Sequence, residues 1–236
     1  LQQMQYSYDE EKGDVAININ ELEIKPGERV AILGKTGAGK STLLKLLSGQ
    51  AQASKGKVII DGVDMAHIDP TDVRRQVGYL SQDSRLFFGT LRQNLMLGHP
   101  HATEAELIQA LRISGAINLV QQDAASLDRL INEGGRGLSG GQRQMVLLSR
   151  LIVRNPQIVL LDEPTASMDE QLEAWVIRQL QQWLTGRTLV LVTHRPALLN
   201  LVDRIVVMEN GKVVADGPRD TLLKQAARNS NVASIV

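Results

Sequence analysis

The 236-residue chain has no cysteine, few aromatic residues and no net charge. The absence of cysteine excludes disulfides and thiol chemistry. Acidic and basic residues balance at 26 each, so the basic footprint of a nucleic-acid-binding domain is not visible and we expect no nucleic-acid partner. No apolar run approaches the roughly 18 residues that a membrane-spanning helix requires. What remains is an ordinary globular composition, with a length that fits one large domain or one domain with an insertion.

Short apolar segments alternate with helical patterns along most of the chain. Strands are predicted at residues 15–20, 29–33, 57–60, 77–80, 158–161, 188–192 and 204–208, with a hairpin at Asn210-Gly211. Helices are predicted at residues 42–47, 142–151, 170–184 and 221–227, with a short one after Pro196. Residues 90–154 lack convincing strands and are predicted to be helical throughout. This alternation predicts an α/β fold with a parallel sheet covered by helices.

A phosphate-loop pattern lies between the strand at 29–33 and the helix that follows it. It consists of Gly34, Lys35, Thr36, Gly37, Ala38, Gly39, Lys40 and Ser41, followed by Thr42. Glycines let backbone N–H groups surround phosphate oxygens at the start of a helix. We expect Lys40 to reach the β- and γ-phosphates and Ser41 to bind Mg²⁺. The alternative is a glycine-rich turn with a chance lysine, which the flanking elements disfavour.

Two acidic residues, Asp162 and Glu163, end the apolar strand at 158–161. The carboxyl ends of parallel strands share one edge of a sheet, so both acids are predicted to lie near the phosphate loop. For an isolated pair, an acidic strand end before Pro164 would be an equal alternative. The phosphate loop upstream favours a role in nucleotide chemistry.

A third motif, Leu138-Ser139-Gly140-Gly141-Gln142, lies between the other two. The three motifs in this order resemble the nucleotide-binding domain of an ABC (ATP-binding cassette) transporter, from about Tyr6 to Gln225. The resemblance implies a P-loop NTPase-type parallel sheet core with an N-terminal antiparallel β subdomain and an inserted α-helical subdomain. Within 1–236, it implies a core at 1–89 and 155–236 and a helical subdomain at 90–154. The chain begins at Leu1 rather than Met, and a transmembrane domain is expected upstream.

The resemblance also implies catalytic roles, with ATP as the substrate and Mg²⁺ as the cofactor. Asp162 resembles the acid that holds Mg²⁺ through water, and Glu163 resembles the general base that polarises the attacking water. Gln82 matches a glutamine that binds Mg²⁺. His194 matches a histidine that contacts the γ-phosphate and orients Glu163, although a lone histidine is more often structural.

A second set of residues is implied to contact ATP that is held by another copy of the domain. These are Leu138, Ser139, Gly140, Gly141, Gln142 and Asp169. Two cassettes would then pack head to tail around two ATP molecules, and two intact sites favour a homodimer over a heterodimer. A flexible loop before a helix is the plain alternative for Ser139–Gly141. The family commonly has leucine where this chain has Met168.

Tyr8 resembles the aromatic residue that stacks on adenine. Tyr6 is the alternative stacking residue, and both tyrosines are otherwise candidates for packing on a sheet.

Two segments point to an exporter. Glu133 precedes the third motif and resembles a residue that contacts intracellular loops, and Phe87-Phe88 resembles a segment that meets coupling helices. Core packing is the alternative for the two phenylalanines.

The chain looks most similar to bacterial type I secretion exporters of RTX toxins and large adhesins. This similarity implies a place on the cytoplasmic face of the inner membrane, with a periplasmic adaptor and an outer-membrane channel as partners of the full transporter. Lipid and drug exporters remain alternatives. A non-transport ABC ATPase acting on ribosomes or DNA, and an interaction module with a dead site, are the competing classes.

Overall fold

The computed structural model describes residues 1–8, 15–121 and 125–228. The strands are β1 (Gln2–Ser7), β2 (Val15–Glu21), β3 (Arg29–Leu33), β4 (Lys55–Lys57), β5 (Ile59–Ile60), β6 (Val63–Asp64), β7 (Val77–Leu80), β8 (Gly89–Thr90), β9 (Leu130–Ile131), β10 (Ile158–Asp162), β11 (Thr188–Val192), β12 (Arg204–Glu209) and β13 (Lys212–Pro218). The helices are α1 (Lys40–Leu47), α2 (Pro70–Gln76), α3 (Leu91–Met96), α4 (Glu104–Ser114), α5 (Asn118–Gln121), α6 (Gly140–Arg154), α7 (Glu170–Trp183) and α8 (Arg219–Arg228). Four short 3₁₀ turns also occur among these residues, at Met65–His67, Ser126–Asp128, Glu133–Gly135 and Pro196–Leu201.

The chain divides into two compact units. The sheet unit comprises Leu1–Tyr79, Gln157–Asp162 and Gly186–Val236, and the helical unit comprises Leu80–Pro156 and Glu163–Thr185. The predicted division at residues 90 and 154 remains a prediction. It differs from these units chiefly in residues 163–185, which belong with the helical unit because α7 packs against α4.

A six-stranded sheet forms the centre of the sheet unit, in the order β13-β12-β3-β11-β10-β7. The pairs β12–β3, β3–β11 and β11–β10 are parallel, which confirms the predicted parallel core. Strands β3, β10 and β11 are buried almost throughout, as expected for strands covered on both faces. The predicted hairpin is also confirmed: β12 and β13 pair antiparallel, and Asn210 and Gly211 both have positive φ, 47° and 75°.

A second sheet in the same unit is antiparallel, in the order β2-β1-β4, which confirms the predicted N-terminal β subdomain. Its inner face contributes Met4, Ile17 and Ile19 to the core that also contains α1 residues such as Leu43. Strand β1 precedes the first predicted strand. Three of its first four residues are glutamines, and Met4 is the one fully buried residue of the strand. The sequence therefore shows no regular alternation of apolar and polar residues here.

The helical unit is built around α6, against which both α3 and α4 pack. The prediction of helix throughout 90–154 is wrong in one detail, because β8 and β9 form a short antiparallel ladder there. Each strand has only two residues, too few for a period-2 pattern to be recognised. A buried hydrogen bond of 2.6 Å joins the hydroxyls of Ser114 on α4 and Ser149 on α6, so these two polar groups are satisfied within the core.

Candidate nucleotide-binding site

The phosphate loop occupies the turn between β3 and α1, as predicted. Its backbone is confined by neighbouring chain segments. Gly34 has a φ of 150°, and a Cβ atom there would lie 2.2 Å from the carbonyl oxygen of Met208. Gly39 has a φ of 96°, and its Cβ would lie 2.9 Å from the carbonyl oxygen of Ala16. Only glycine fits these two positions, so the loop conformation is fixed by the surrounding backbone.

Lys40 is the first residue of α1, and its side chain is buried inside the loop. Its Nζ donates hydrogen bonds to the carbonyl oxygens of Gly34 at 2.6 Å and Lys35 at 3.0 Å. Ser41 is half-buried, and Lys35, Thr36 and Gly37 are exposed. The loop therefore presents backbone to solvent around a buried ammonium group at a helix start, an arrangement suited to an anion.

Tyr8 lies against the start of α1, since its hydroxyl forms a 2.6 Å hydrogen bond with Oγ1 of Thr42. Tyr8 is 66% exposed. Tyr6 is half-buried and packs against the core of the sheet unit, and the two rings meet edge to face with centroids 5.1 Å apart. Of the two candidates, Tyr8 has the ring face that a base can reach.

Asp162 ends one strand, and His194 follows the end of the neighbouring strand. Both lie at the edge of the sheet that carries the phosphate loop. Asp162 ends β10 and is 2% exposed. It is in register with Val192, the last residue of β11 and two residues before His194. Val192 is in turn in register with Ile32 of β3, just before the loop. Strand order thus brings the loop, Asp162 and the exposed His194 to one edge of the sheet, as predicted for parallel strands.

Glu163 follows Asp162 directly and has a φ of 50°, in the left-handed region that is uncommon for residues other than glycine. Its carbonyl oxygen accepts hydrogen bonds from the Ala166 N–H at 3.3 Å and from Nε2 of Gln144 at 3.4 Å. The turn that follows is fixed by a buried hydrogen bond from the Thr165 hydroxyl to Glu173 on α7. Positive φ at a polar residue in a turn often marks a functional position.

The Thr165–Glu173 pair and Gln144 were not identified from the sequence. A Glu at position 173 has the spacing of an ordinary polar residue in a helix, so no local signal distinguishes it. Asp169 is the N-cap of α7, and its Oδ1 accepts from the Leu172 N–H at 2.9 Å. Its contact with ATP held by another copy of the domain stays a prediction.

The third motif forms the N-terminus of α6. Ser139 is the exposed N-cap, and it makes a capping box with Gln142 through hydrogen bonds of 2.9 Å and 3.1 Å. Leu138 is buried. A Cβ atom on Gly140 or Gly141 would lie 3.1 Å from Ser167, at its Cβ and carbonyl oxygen respectively. These glycines therefore permit the close packing of α6 on the turn before α7 as well as an open helix start.

The remaining candidates are exposed residues of the helical unit. Gln82 lies in the turn after β7. Phe87 and Phe88 are 57% and 68% exposed, which contradicts the core-packing alternative. Glu133 begins a 3₁₀ turn, and the next residue, Gly134, donates its N–H to the carbonyl oxygen of Leu86 at 3.0 Å. The structure thus joins the segments that carry Phe87 and Glu133, which are far apart in sequence.

Across residues 1–8, 15–121 and 125–228, no group of three or more His, Cys, Asp or Glu side chains is arranged to hold a metal ion. The helices of that part of the chain are all too short or too polar to cross a bilayer.

Comparison with known proteins shows which family the chain resembles. The family model described as "ABC transporter" matches residues 17–166. The chain is 37% identical over 223 residues to the cyclolysin secretion/processing ATP-binding protein CyaB of Bordetella pertussis. It shows the same identity over 223 residues to the leukotoxin translocation ATP-binding protein LktB of Mannheimia haemolytica. Each alignment covers 94% of this chain but 31% of the relative, so the chain spans about a third of the length of these relatives.

Among solved structures, a bacterial Atm1-family ABC exporter with ATP bound superposes with a TM-score of 0.89. The two are 31% identical, and the match covers 95% of this chain and 39% of that one.

Proposed function

Because the chain belongs to the ABC transporter family, we propose that it is the ATP-hydrolysing motor domain of a bacterial exporter. The resemblance drawn from its motifs is confirmed. The observation that carries the proposal is the arrangement of the phosphate loop, Asp162 and His194 at one edge of the parallel sheet. The fold is shared with an exporter.

ATP binding is assigned to the sheet unit. The amides of Gly34–Thr42 surround the phosphates, and Lys40 leaves its two carbonyl partners to pair with the β- and γ-phosphates. Tyr8 stacks on adenine, which its exposed ring and its contact with Thr42 support.

The oxygen donors present fit Mg²⁺ bound together with a nucleotide. Magnesium keeps several waters and is bound by one or two protein oxygens plus substrate phosphates. The carboxylate of the buried Asp162, acting through water, and the hydroxyl of the half-buried Ser41 provide such donors. The family resemblance adds the amide oxygen of Gln82 as a further ligand. Bound there, Mg²⁺ neutralises charge on the phosphate oxygens.

Hydrolysis is an in-line displacement at the γ-phosphorus. A water oxygen forms the new P–O bond as the bond to the β–γ bridging oxygen breaks, giving ADP and phosphate. Glu163 accepts the proton of the attacking water, and the turn held by Thr165 and Glu173 fixes its position. His194 contacts the γ-phosphate, and Lys40 stabilises the charge that develops on it.

The site is completed by a second copy of the chain. The helix start at Ser139–Gly141 binds the γ-phosphate held by the partner, and Asp169 lies in the same interface. The exposed position of Ser139 at the N-terminus of a 15-residue helix supports this role, because such a terminus attracts anions. ATP binding closes the homodimer, and hydrolysis opens it.

We further propose that the exporter moves a protein across the inner membrane. The names of the two relatives describe cyclolysin secretion and leukotoxin translocation. On this proposal the cassette works at the cytoplasmic face, is fused to or associated with a transmembrane domain, and meets it through Phe87, Phe88 and Glu133. A periplasmic adaptor and an outer-membrane channel complete the pathway. A lipid or drug exporter is the alternative at this level.

Mixing two inactive variants tests the shared site. Lys40→Ala removes the phosphate-binding ammonium, and Ser139→Arg blocks the helix start that serves the partner. Each pure dimer is expected to be inactive. In a mixed dimer one of the two sites combines an intact Lys40 with an intact Ser139. Random pairing should therefore restore roughly a quarter of the wild-type ATPase rate. Undiminished hydrolysis by pure Ser139→Arg, or no recovery on mixing, would refute the shared site.

A further inference from the structure

Arg150, in the last third of α6, is half-buried and has no carboxylate partner among the described residues. Its Nε donates to the carbonyl oxygen of Asn94 at 2.9 Å, its Nη2 to Oδ1 of Asn94 at 2.8 Å and its Nη1 to the carbonyl oxygen of Arg85 at 3.0 Å. Burial lowers the pKa of the guanidinium to about 10. A partly buried cation without a counter-ion is unfavourable unless its donors form hydrogen bonds, and here three of the five N–H groups bond to neutral oxygens.

Asn94, on α3, is 1% exposed and uses all of its hydrogen-bonding capacity. Its Oδ1 accepts from the Phe87 N–H at 3.0 Å in addition to Arg150. Its Nδ2 donates to the carbonyl oxygens of Phe87 at 2.9 Å and Thr90 at 3.1 Å. One side chain thus binds both backbone polar groups of Phe87.

These bonds fix a segment that would otherwise be a surface loop. Arg85 and Phe87 lie in no helix or strand, yet the backbone of both is bound by Asn94 or Arg150. The guanidinium carbon of Arg150 also lies 5.5 Å from the centre of the Phe87 ring, a cation–π contact. The segment presents Phe87 and Phe88 outward in a defined conformation.

A second arginine on α6 makes a parallel connection. Arg143 precedes Arg150 by seven residues, about two helical turns, so both lie on the same side of the helix. Its Nη1 donates to the carbonyl oxygen of Leu138 at 2.8 Å. Its side chain packs on Gly135, where an added Cβ would lie 2.7 Å from Arg143 Cδ and 3.0 Å from Leu86. Along one side, α6 therefore holds the segments that carry Phe87 and Glu133.

We propose that Asn94 and Arg150 are positioning residues that join the exposed Phe87–Phe88 surface to α6, so that this surface and the Ser139 helix start move as one body. The inference rests on the proposed function, in which Ser139 meets ATP and Phe87–Phe88 meet the transmembrane domain. A movement caused by ATP at one end of a 15-residue helix then reaches the membrane-facing surface without a flexible loop between them.

Amide hydrogen exchange in this chain, without nucleotide, measures the connection itself. Asn94→Ala removes both donors and the acceptor, and Arg150→Lys keeps the charge but loses the planar fork that reaches three oxygens. In each variant, exchange at residues 85–88 should accelerate about tenfold or more, because the lost bonds are charge-assisted or buried. The two effects should be non-additive in the double variant. Arg150→Lys, which leaves Asn94 in place, remains the test of the connection if Asn94→Ala does not fold.

Arg92→Lys is the matched control. Arg92 lies on the same helix as Asn94 and pairs with Glu104 and Asp128 at 3.0 Å and 3.1 Å. Its replacement should leave exchange at residues 85–88 unchanged. Equal exchange there in wild type, Arg150→Lys and Asn94→Ala would overturn the inference.

A spin label tests whether movement is transmitted. The chain has no cysteine, so Phe88→Cys in a Glu163→Gln background provides a single thiol for a nitroxide. With Arg150 intact, Mg·ATP should change the label's spectrum relative to Mg·ADP. With Arg150→Lys, the label should be mobile and at least three-quarters of its nucleotide response lost, while ATP still drives dimerisation as measured by light scattering. A general loss of structure would abolish dimerisation as well.

An unaltered nucleotide response of the label in Arg150→Lys would overturn the inference. A failure of ATP to form the dimer when Arg150 is intact would count against the proposed function instead. The exchange experiment needs no nucleotide, so it would still decide whether Asn94 and Arg150 hold the segment.

Discussion

The sheet unit and the helical unit fix their functional residues by different means. In the sheet unit, the phosphate loop and Asp162 stand at the ends of buried strands, and backbone contact at Gly34 confines the loop. In the helical unit, exposed residues are held by side-chain hydrogen bonds, as Ser139 is by Gln142 and Phe87 is by Asn94.

This difference predicts different vulnerabilities. A site built on backbone packing tolerates no added atom where two backbone segments are in contact. A site built on side-chain hydrogen bonds loses stability in steps, as each buried donor or acceptor is removed. The four substitutions that follow probe this distinction, in order of decreasing effect.

Gly34→Ala should destabilise the chain the most. Its new methyl group would meet the Met208 carbonyl oxygen at 2.2 Å, and both Gly34 and Met208 are buried. We expect a loss of about 3–5 kcal/mol in the free energy of unfolding, measured in urea. Gly37→Ala is the control, since its φ is also positive, 83°, but no atom lies within 4 Å of the added Cβ. It should cost only about 1–2 kcal/mol. Equal losses would mean that the backbone contact does not confine the loop.

Thr165→Val should cost about 2 kcal/mol, because it removes a buried hydroxyl from the carboxylate of Glu173. The same turn carries Glu163, so kcat for ATP should fall more than KM changes. Thr185→Val, at an exposed position of the same unit, should be neutral within about 0.5 kcal/mol. Unchanged stability and kcat in Thr165→Val would show that the Thr165–Glu173 pair does not hold the turn.

Ser139→Ala should cost about 1 kcal/mol through loss of the N-cap of α6. Thr103 forms the same kind of capping box with Glu106 at the start of α4, so Thr103→Ala should cost a similar amount. Only Ser139→Ala should also reduce ATP hydrolysis. If both variants reduce hydrolysis equally, the effect of Ser139 is on folding and not on a partner's nucleotide.

Met168→Leu should have the smallest effect. Met168 is buried, and a swap of similar volume costs less than about 1.5 kcal/mol. ATP hydrolysis should be unchanged, because the side chain contributes packing before α7. Met168→Ala, measured in the same urea series, should cost about 2–3 kcal/mol through the cavity it leaves. A loss of hydrolysis in Met168→Leu would reveal a requirement beyond packing.

Much of the fold was predictable because its signals are local. The strands at Arg29–Leu33 and Thr188–Val192 are continuous apolar runs, and their boundaries match the structure. The Asn210-Gly211 hairpin depends on two residues that accept positive φ. The phosphate loop was recognisable because the glycines that its backbone conformation requires all lie in one short segment of the sequence.

The remainder depends on contacts between distant positions. Arg150 binds Asn94, which lies 56 residues earlier in the sequence. Thr165 and Glu173 bond only when α7 has formed next to the turn that precedes it. Each of these side chains is a common polar residue in a helix or turn, so no period or motif distinguishes it. The two-residue strands β8 and β9 are likewise stabilised by tertiary pairing and carry no pattern of their own.

Light scattering of the Glu163→Gln protein with Mg·ATP, and separately with Mg·ADP, tests the central claim most directly. Without its general base the chain should bind ATP but not hydrolyse it, so the closed dimer accumulates. The account predicts a mass near twice 25.9 kDa with ATP and a monomer with ADP. A monomer under both conditions, with ATP demonstrably bound, would contradict a site shared between two copies of the chain.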